Sequence, residues 1–150
     1  MNVIKEQLYK LCQYHLLENI KSAEAAISDG REASQNETKS SMGDKYETAR
    51  EMLQQDIHIN MARLQKACQE QLVLQQIDPE QKGTTVAPGS LVKTNNGWFY
   101  IAISASKMEI DEEIYYTISI TSPLGNLLKG KTTGSSFVLN GKSYMIEKVY

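Results

Sequence analysis

What the sequence lacks sets the first limits. None of its 150 residues lies in a run approaching the roughly 18 consecutive apolar residues that a membrane-spanning helix needs, so a transmembrane chain is excluded. The start, MNVIKEQLYK, has neither the basic flank nor the apolar stretch of a secretory signal, and the cytoplasm is the expected compartment. Cysteine is scarce: Cys12 and Cys68 make no metal motif and no framework of several bridges, and both are expected to be reduced packing residues. Neither charge dominates, with 16 Lys and Arg against 18 Asp and Glu. With 41% hydrophobic and 23% charged residues, the composition fits a globular protein of one or two small domains.

The averages hide a division near residue 80. The first 80 residues carry 9 basic and 13 acidic side chains, and the remainder 7 and 5. Two of the nine glycines, Gly30 and Gly43, precede the division and seven follow it. The chain therefore reads as two differently built pieces.

The first piece reads as helix. Asn2 to Ile27 holds no Pro or Gly, and Ile4, Leu8, Leu11, Leu17, Ile20 and Ile27 recur at helical spacing, with a slipped register near Tyr14 and His15. From Asp44 to about Ile77, Tyr46, Ala49, Leu53, Ile57, Met61, Leu64, Cys68 and Leu72 stand three and four residues apart. Gly43-Asp44 followed by Glu47 marks the start of this second helix as a capping box, and Asp78-Pro79 marks its end. The polar stretch between the helices suits an exposed tip near 28–43 joining an antiparallel coiled-coil hairpin over 1–79. Folding the hairpin near residues 36 and 37 puts His15 level with His58, but no third ligand accompanies the pair, and ordinary seam or surface histidines are the simpler reading.

The second piece, 80–150, reads as a small sheet with one short helix, making the whole α+β. Asn95-Asn96-Gly97 and Asn140-Gly141, each between strand-like runs, are hairpin signals. EEIYYTISI is a long strand with Ile114, Tyr116, Ile118 and Ile120 on one face. Ser122-Pro123 supplies the N-cap and first residue of a helix through Leu124, Leu127 and Leu128, stopped by Gly130. Trp98, Phe99 and Tyr100 are expected in the core.

These parts resemble a known family. A long helical hairpin, then Ile118-Ser119-Ile120-Thr121-Ser122-Pro123-Leu124 running into Leu127, Leu128, Gly130 and Lys131, then Tyr144-Met145-Ile146-Glu147-Lys148-Val149-Tyr150, is similar to the bacterial Gre-type (GreA/GreB) transcription elongation factors. Lys45-Tyr46-Glu47-Thr48-Ala49-Arg50 looks like that family's segment just beyond the tip. The resemblance implies an FKBP-like C-terminal domain that docks at the rim of the RNA polymerase secondary channel, through the turn matching Ser122 and Pro123. It implies also that the hairpin tip enters the channel, where indirect contact with nascent RNA is possible. Such a protein is no enzyme by itself and has no cofactor of its own. In cleavage-stimulating members two tip carboxylates share a Mg²⁺ with the polymerase active site, a role suited to hard oxygen ligands. No membrane partner is implied, and the protein is read as a monomer.

The sequence departs from the family at the tip. Counting back from Tyr46, the places of the two acids hold Lys39 and Met42. The nearest substitutes are Glu37 and Asp44, for which a solvated loop charge and a helix N-cap, respectively, are the plainer readings. Cleavage stimulation and occupation of the channel without cleavage both remain expectations. Two further classes stand beside them: a peptidyl-prolyl isomerase, for which few aromatics are left over from the strands, and a coiled-coil adaptor with no polymerase link.

Overall fold

The structure is a computed structural model that describes the backbone of residues 1–37 and 43–150, and the side chains of 1–36 and 47–150. The order of elements is α1 (Asn2–Glu37), α2 (Gly43–Gln75), β1 (Leu91–Thr94), β2 (Gly97–Ala102), β3 (Lys107–Ile110), β4 (Glu113–Ser119), α3 (Pro123–Leu128), β5 (Ser136–Leu139) and β6 (Lys142–Val149), an α+β arrangement. The chain divides into two compact units: Leu16–Gln71, and Met1–His15 together with Leu72–Tyr150.

The unit Leu16–Gln71 is helical. Residues 28–37, expected as part of the tip, are the last turns of α1. Arg31, Glu32 and Gln35 are exposed straight-chain residues that lose little rotamer freedom in a helix, so polarity here marks a solvated helix and not a loop. Gly30 weakens a helix by roughly 1 kcal/mol relative to Ala, but a Cβ there would lie 2.9 Å from Ile57 Cγ1. The glycine thus permits close approach of α2.

The seam keeps the expected Ile27, Leu53, Ile57 and Leu64 but passes some other large apolar residues by. On α1, Leu16, Ala23 and Ile27 are buried, and on α2 Leu53, Ile57, Asn60, Leu64 and Ala67 turn inward, at alternating steps of four and three. That is the 3.5-residue repeat of a coiled-coil seam. Met61 and Cys68, expected on the seam, are exposed one position beyond it, and so is Leu17. Small seam residues let the backbones approach, which leaves neighbouring large side chains on the flanks. Cys68 is therefore no packing residue, whereas Cys12, in the other unit, is buried. No register slip occurs near Tyr14 and His15, because Cys12 and Leu16 continue the helical spacing there. With Gly30 against Ile57, His58 stands level with residue 29, which is not the register expected from a fold near residues 36 and 37.

The second unit is built on a mixed six-stranded sheet of order β3-β4-β2-β1-β6-β5. Only β2 and β4 are parallel neighbours. At its centre Trp98, Phe99, Tyr100, Ile101 and Ala102 are all buried, the continuous apolar run of a strand covered on both faces. Phe99 and Ile101 pack with Val86, Val92, Leu128, Ile146 and Val149. On the opposite face Tyr100 pairs across the strands with Leu91 and lies beside Cys12 and Tyr9 of α1. Burial, with Cys12 and Tyr9 adding to it, pushes the Tyr100 hydroxyl well above its ordinary pKa, and that hydroxyl has no hydrogen-bond partner among the described residues. Tyr9 donates to the Leu74 carbonyl at 3.1 Å, joining the α1 start to the α2 end.

Turn chemistry fixes the sheet edges. The β1–β2 turn clamps β6: Asn95 Oδ1 accepts from the Met145 amide at 2.7 Å, and Asn96 Nδ2 donates to the Ser143 carbonyl at 2.7 Å. Asn140 and Gly141 both have positive φ, as a two-residue type I′ hairpin requires. The β3–β4 hairpin is absent from the sequence reading, because its turn is Asp111-Glu112, with φ of 52° and 67° and no glycine. A left-handed conformation strains such residues by roughly 1–2 kcal/mol each. Replacing Glu112 with Gly is expected to raise stability by about 1 kcal/mol, read as a higher urea midpoint at unchanged slope.

Lys5 is the one charged residue buried in this unit among those described, at 2% exposure. Its ammonium donates to the Gln81 carbonyl at 2.5 Å and the Tyr150 carbonyl at 3.4 Å. Burial lowers its pKa below 10.5, with the Asp78 carboxylate partly opposing the shift. The folded state therefore releases this proton before the unfolded state does. The penalty of the buried charge is full below the folded pKa and is relieved as pH rises through it towards 10.5. Between pH 7 and that upper limit, the unfolding free energy of the wild type should rise relative to that of Lys5→Met; a constant difference would show that burial does not shift the group.

Candidate functional site

The residues singled out by the resemblance form the corner between β4 and α3. Ser122, in extended conformation, is the N-cap: its Oγ accepts from the Gly125 amide at 3.0 Å and donates to the Ser119 carbonyl at 2.6 Å. Pro123 follows at the first helical position, where a missing N–H costs nothing, and it is exposed. Ser119 Oγ and Thr121 Oγ1 lie 2.8 Å apart, and Asn126 Nδ2 donates to the Thr121 carbonyl at 3.3 Å. Both bonds of the Ser122 hydroxyl are thus internal. What the corner presents outward is its shape and the Pro123 ring.

Gly125 makes that shape possible. A Cβ built on it would sit 2.1 Å from the Ser119 carbonyl oxygen and 2.9 Å from Ile120 Cα, both backbone atoms that cannot step aside. The sequence reading passed over this residue. The signal was present, as a glycine inside a helix where it weakens the element unless close approach demands it.

Beside the corner lies an apolar face. Phe99 stacks on Tyr116 with centroids 5.7 Å apart and meets Tyr144 at 6.2 Å, and Tyr144 stacks on Phe137 at 5.3 Å. The row crosses the sheet from β4 to β5 on the side of the main cluster. Ile118, Ile120 and Leu124 are partly buried against that cluster, while Ile114 and Tyr116 are 40% and 42% exposed. Ile114 and Tyr116 thus form an exposed apolar and aromatic margin along β4. Trp98, Phe99 and Tyr100, expected in the core, are all there.

The tip candidates cannot be joined to this geometry. The side chains of Glu37 and Asp44, like those of Lys39 and Met42, lie outside the described residues. Among the described residues no group of three His, Cys, Asp or Glu side chains could hold a metal ion, and no helix is long and apolar enough to cross a membrane.

No family model and no curated protein matches the chain. Among solved structures it is similar to one described as "Structure of the transcription factor Gfh1", at 18% identity over 90% of each chain and a TM-score of 0.36. A likeness of that size decides neither family nor function.

The corner predicts a graded response. Ser122→Ala removes a cap and should cost about 1 kcal/mol, whereas Gly125→Ala forces backbone apart and should cost about 3 kcal/mol or more. Urea unfolding of the two variants checks the order; equal losses would show that Gly125 is not under steric constraint.

Proposed function

We propose that this chain is a regulator of transcription elongation of the Gre type that binds RNA polymerase. The C-terminal domain, FKBP-like on this reading, docks at the rim of the secondary channel, and the hairpin tip enters the channel. The protein acts on the polymerase's own chemistry and brings no catalytic site of its own. The observation that carries the reading is the Ser122-Pro123-Leu124-Gly125 corner: its hydroxyl is spent on capping, its glycine holds α3 against β4, Pro123 stands exposed at the start of α3, and Ile114 and Tyr116 are exposed on the preceding strand. A rigid, internally satisfied corner beside apolar surface suits docking, since little ordering remains to be done on binding.

Two modes of action follow from the tip sequence. In the first, Glu37 and Asp44 supply carboxylate oxygens to a Mg²⁺ held mainly by the polymerase, and the polymerase hydrolyses backtracked RNA. In the second, the tip occupies the channel without stimulating cleavage. Lys39 and Met42, standing where the family's acids would be, favour the second, because neither residue offers an oxygen ligand in its side chain.

Defined backtracked elongation complexes separate the two. Under the first mode, added protein speeds transcript cleavage, and Glu37→Ala or Asp44→Ala lowers the stimulation at least about tenfold, the scale of losing one transition-state contact to metal or charge. Under the second, cleavage is not stimulated, yet elongation or nucleotide addition changes with added protein. Absence of every effect on these complexes overturns the proposal.

A further inference from the structure

The face of the sheet opposite the aromatic margin holds an arrangement that the proposed function leaves unused. Lys93 of β1 and Lys148 of β6 are direct cross-strand partners, so their side chains leave the same face side by side. Lys93 Nζ lies 4.7 Å from the centroid of the Trp98 ring, and Lys148 Nζ 4.9 Å from that of Tyr150. The two rings are themselves in contact, 6.0 Å apart, and Tyr115 packs against Trp98 at 5.7 Å. Two ammonium groups are thus gathered over one aromatic platform. Like charges placed directly opposite on neighbouring strands repel, and among the described residues neither lysine has an ion-pair partner.

We infer that the Lys93–Lys148 row is a docking site for a carboxylate-bearing segment of a protein partner. A carboxylate between the ammonium groups accepts from both and cancels their repulsion, and such charge-assisted bonds are the stronger kind. The aromatic rings hold the two ammonium groups in place, so less side-chain freedom is lost on binding. Single-stranded nucleic acid fits less well. Trp98 is 8% exposed, with Lys93, Tyr115 and Tyr150 around it, which leaves no ring face for a base to stack upon. The neighbouring Lys142 lies over Tyr144, on the other face of the sheet, so the row ends at two cations instead of continuing as a phosphate track. This inference concerns a different face from the Ser122 corner and stands independently of the proposed function.

The sequence provides its own reporter, because Trp98 is the single tryptophan. The full chain, titrated at low salt with a hexaglutamate peptide, should give a saturable change in tryptophan fluorescence. Lys148→Gln, at an exposed position away from the Trp98 ring, and Lys93→Gln should each weaken that binding about tenfold, the scale of one hydrogen bond to a charged group. Unchanged urea midpoints would show that the variants remain folded, and raised salt should weaken the wild type more than either variant. Parallel titrations use a single-stranded RNA dodecamer and inorganic phosphate. The inference is overturned by the absence of a saturable response to the peptide, by binding that both variants retain, or by tighter binding of RNA or phosphate than of the peptide.

Discussion

Burial of β2 on both faces is the constraint on which the second unit depends. Five consecutive residues, Trp98 to Ala102, are removed from water, and the two alternating sets are covered by different parts of the chain. Phe99 and Ile101 meet Leu128 of α3 and the β1 and β6 residues Val92, Ile146 and Val149; Tyr100 meets the start of α1. At roughly 1.5–3 kcal/mol for each large apolar side chain buried, this one strand holds the short helix on one side and the helix start on the other. The orphaned Tyr100 hydroxyl is a local cost of that coverage. The Ser122 corner, at the end of the strand parallel to β2, takes its position from the same packing.

Much of this was legible from particular residues. WFYIAI after Asn95-Asn96-Gly97 announced a buried strand following a tight turn, and Asn140-Gly141 gave a hairpin whose two positive φ angles those residues tolerate. Ser122-Pro123 gave both the cap and the first residue of α3. The failures have physical causes. The coiled-coil seam takes in Ala23, Ala67 and Gly30 beside the expected Ile27, Leu53, Ile57 and Leu64, and this close approach leaves Leu17 and Met61 on the flanks. An exposed apolar residue is common, and only burial of a polar or small one would have marked the seam. The β3–β4 hairpin escaped because Asp111-Glu112 adopts left-handed backbone without the glycine that normally signals it. Polar composition over 28–37 suits an exposed loop and a solvated helix alike, and the chain there is helix.

The candidate site was legible in part. Ser122 and Pro123 sit where their residue types place them, but Gly125 and the exposed Tyr116 margin depend on how α3 approaches β4, which no local pattern encodes. The roles of the hairpin and the sheet also separate chemically. The sheet unit carries the two surfaces to which contact is proposed: an apolar margin and a rigid corner on one face and a paired-lysine row on the other. On the proposed function, the action of the tip would be set by Glu37, Lys39, Met42 and Asp44, a handful of residues whose types can be read while the net charge of the chain says nothing of them.

Equilibrium binding to purified RNA polymerase core is the measurement that tests the central claim most directly. The account predicts saturable one-to-one binding that is weakened by Tyr116→Asp, a substitution that puts charge into the apolar margin while leaving the Ser122 cap intact. Absence of binding by the folded wild-type protein would contradict it.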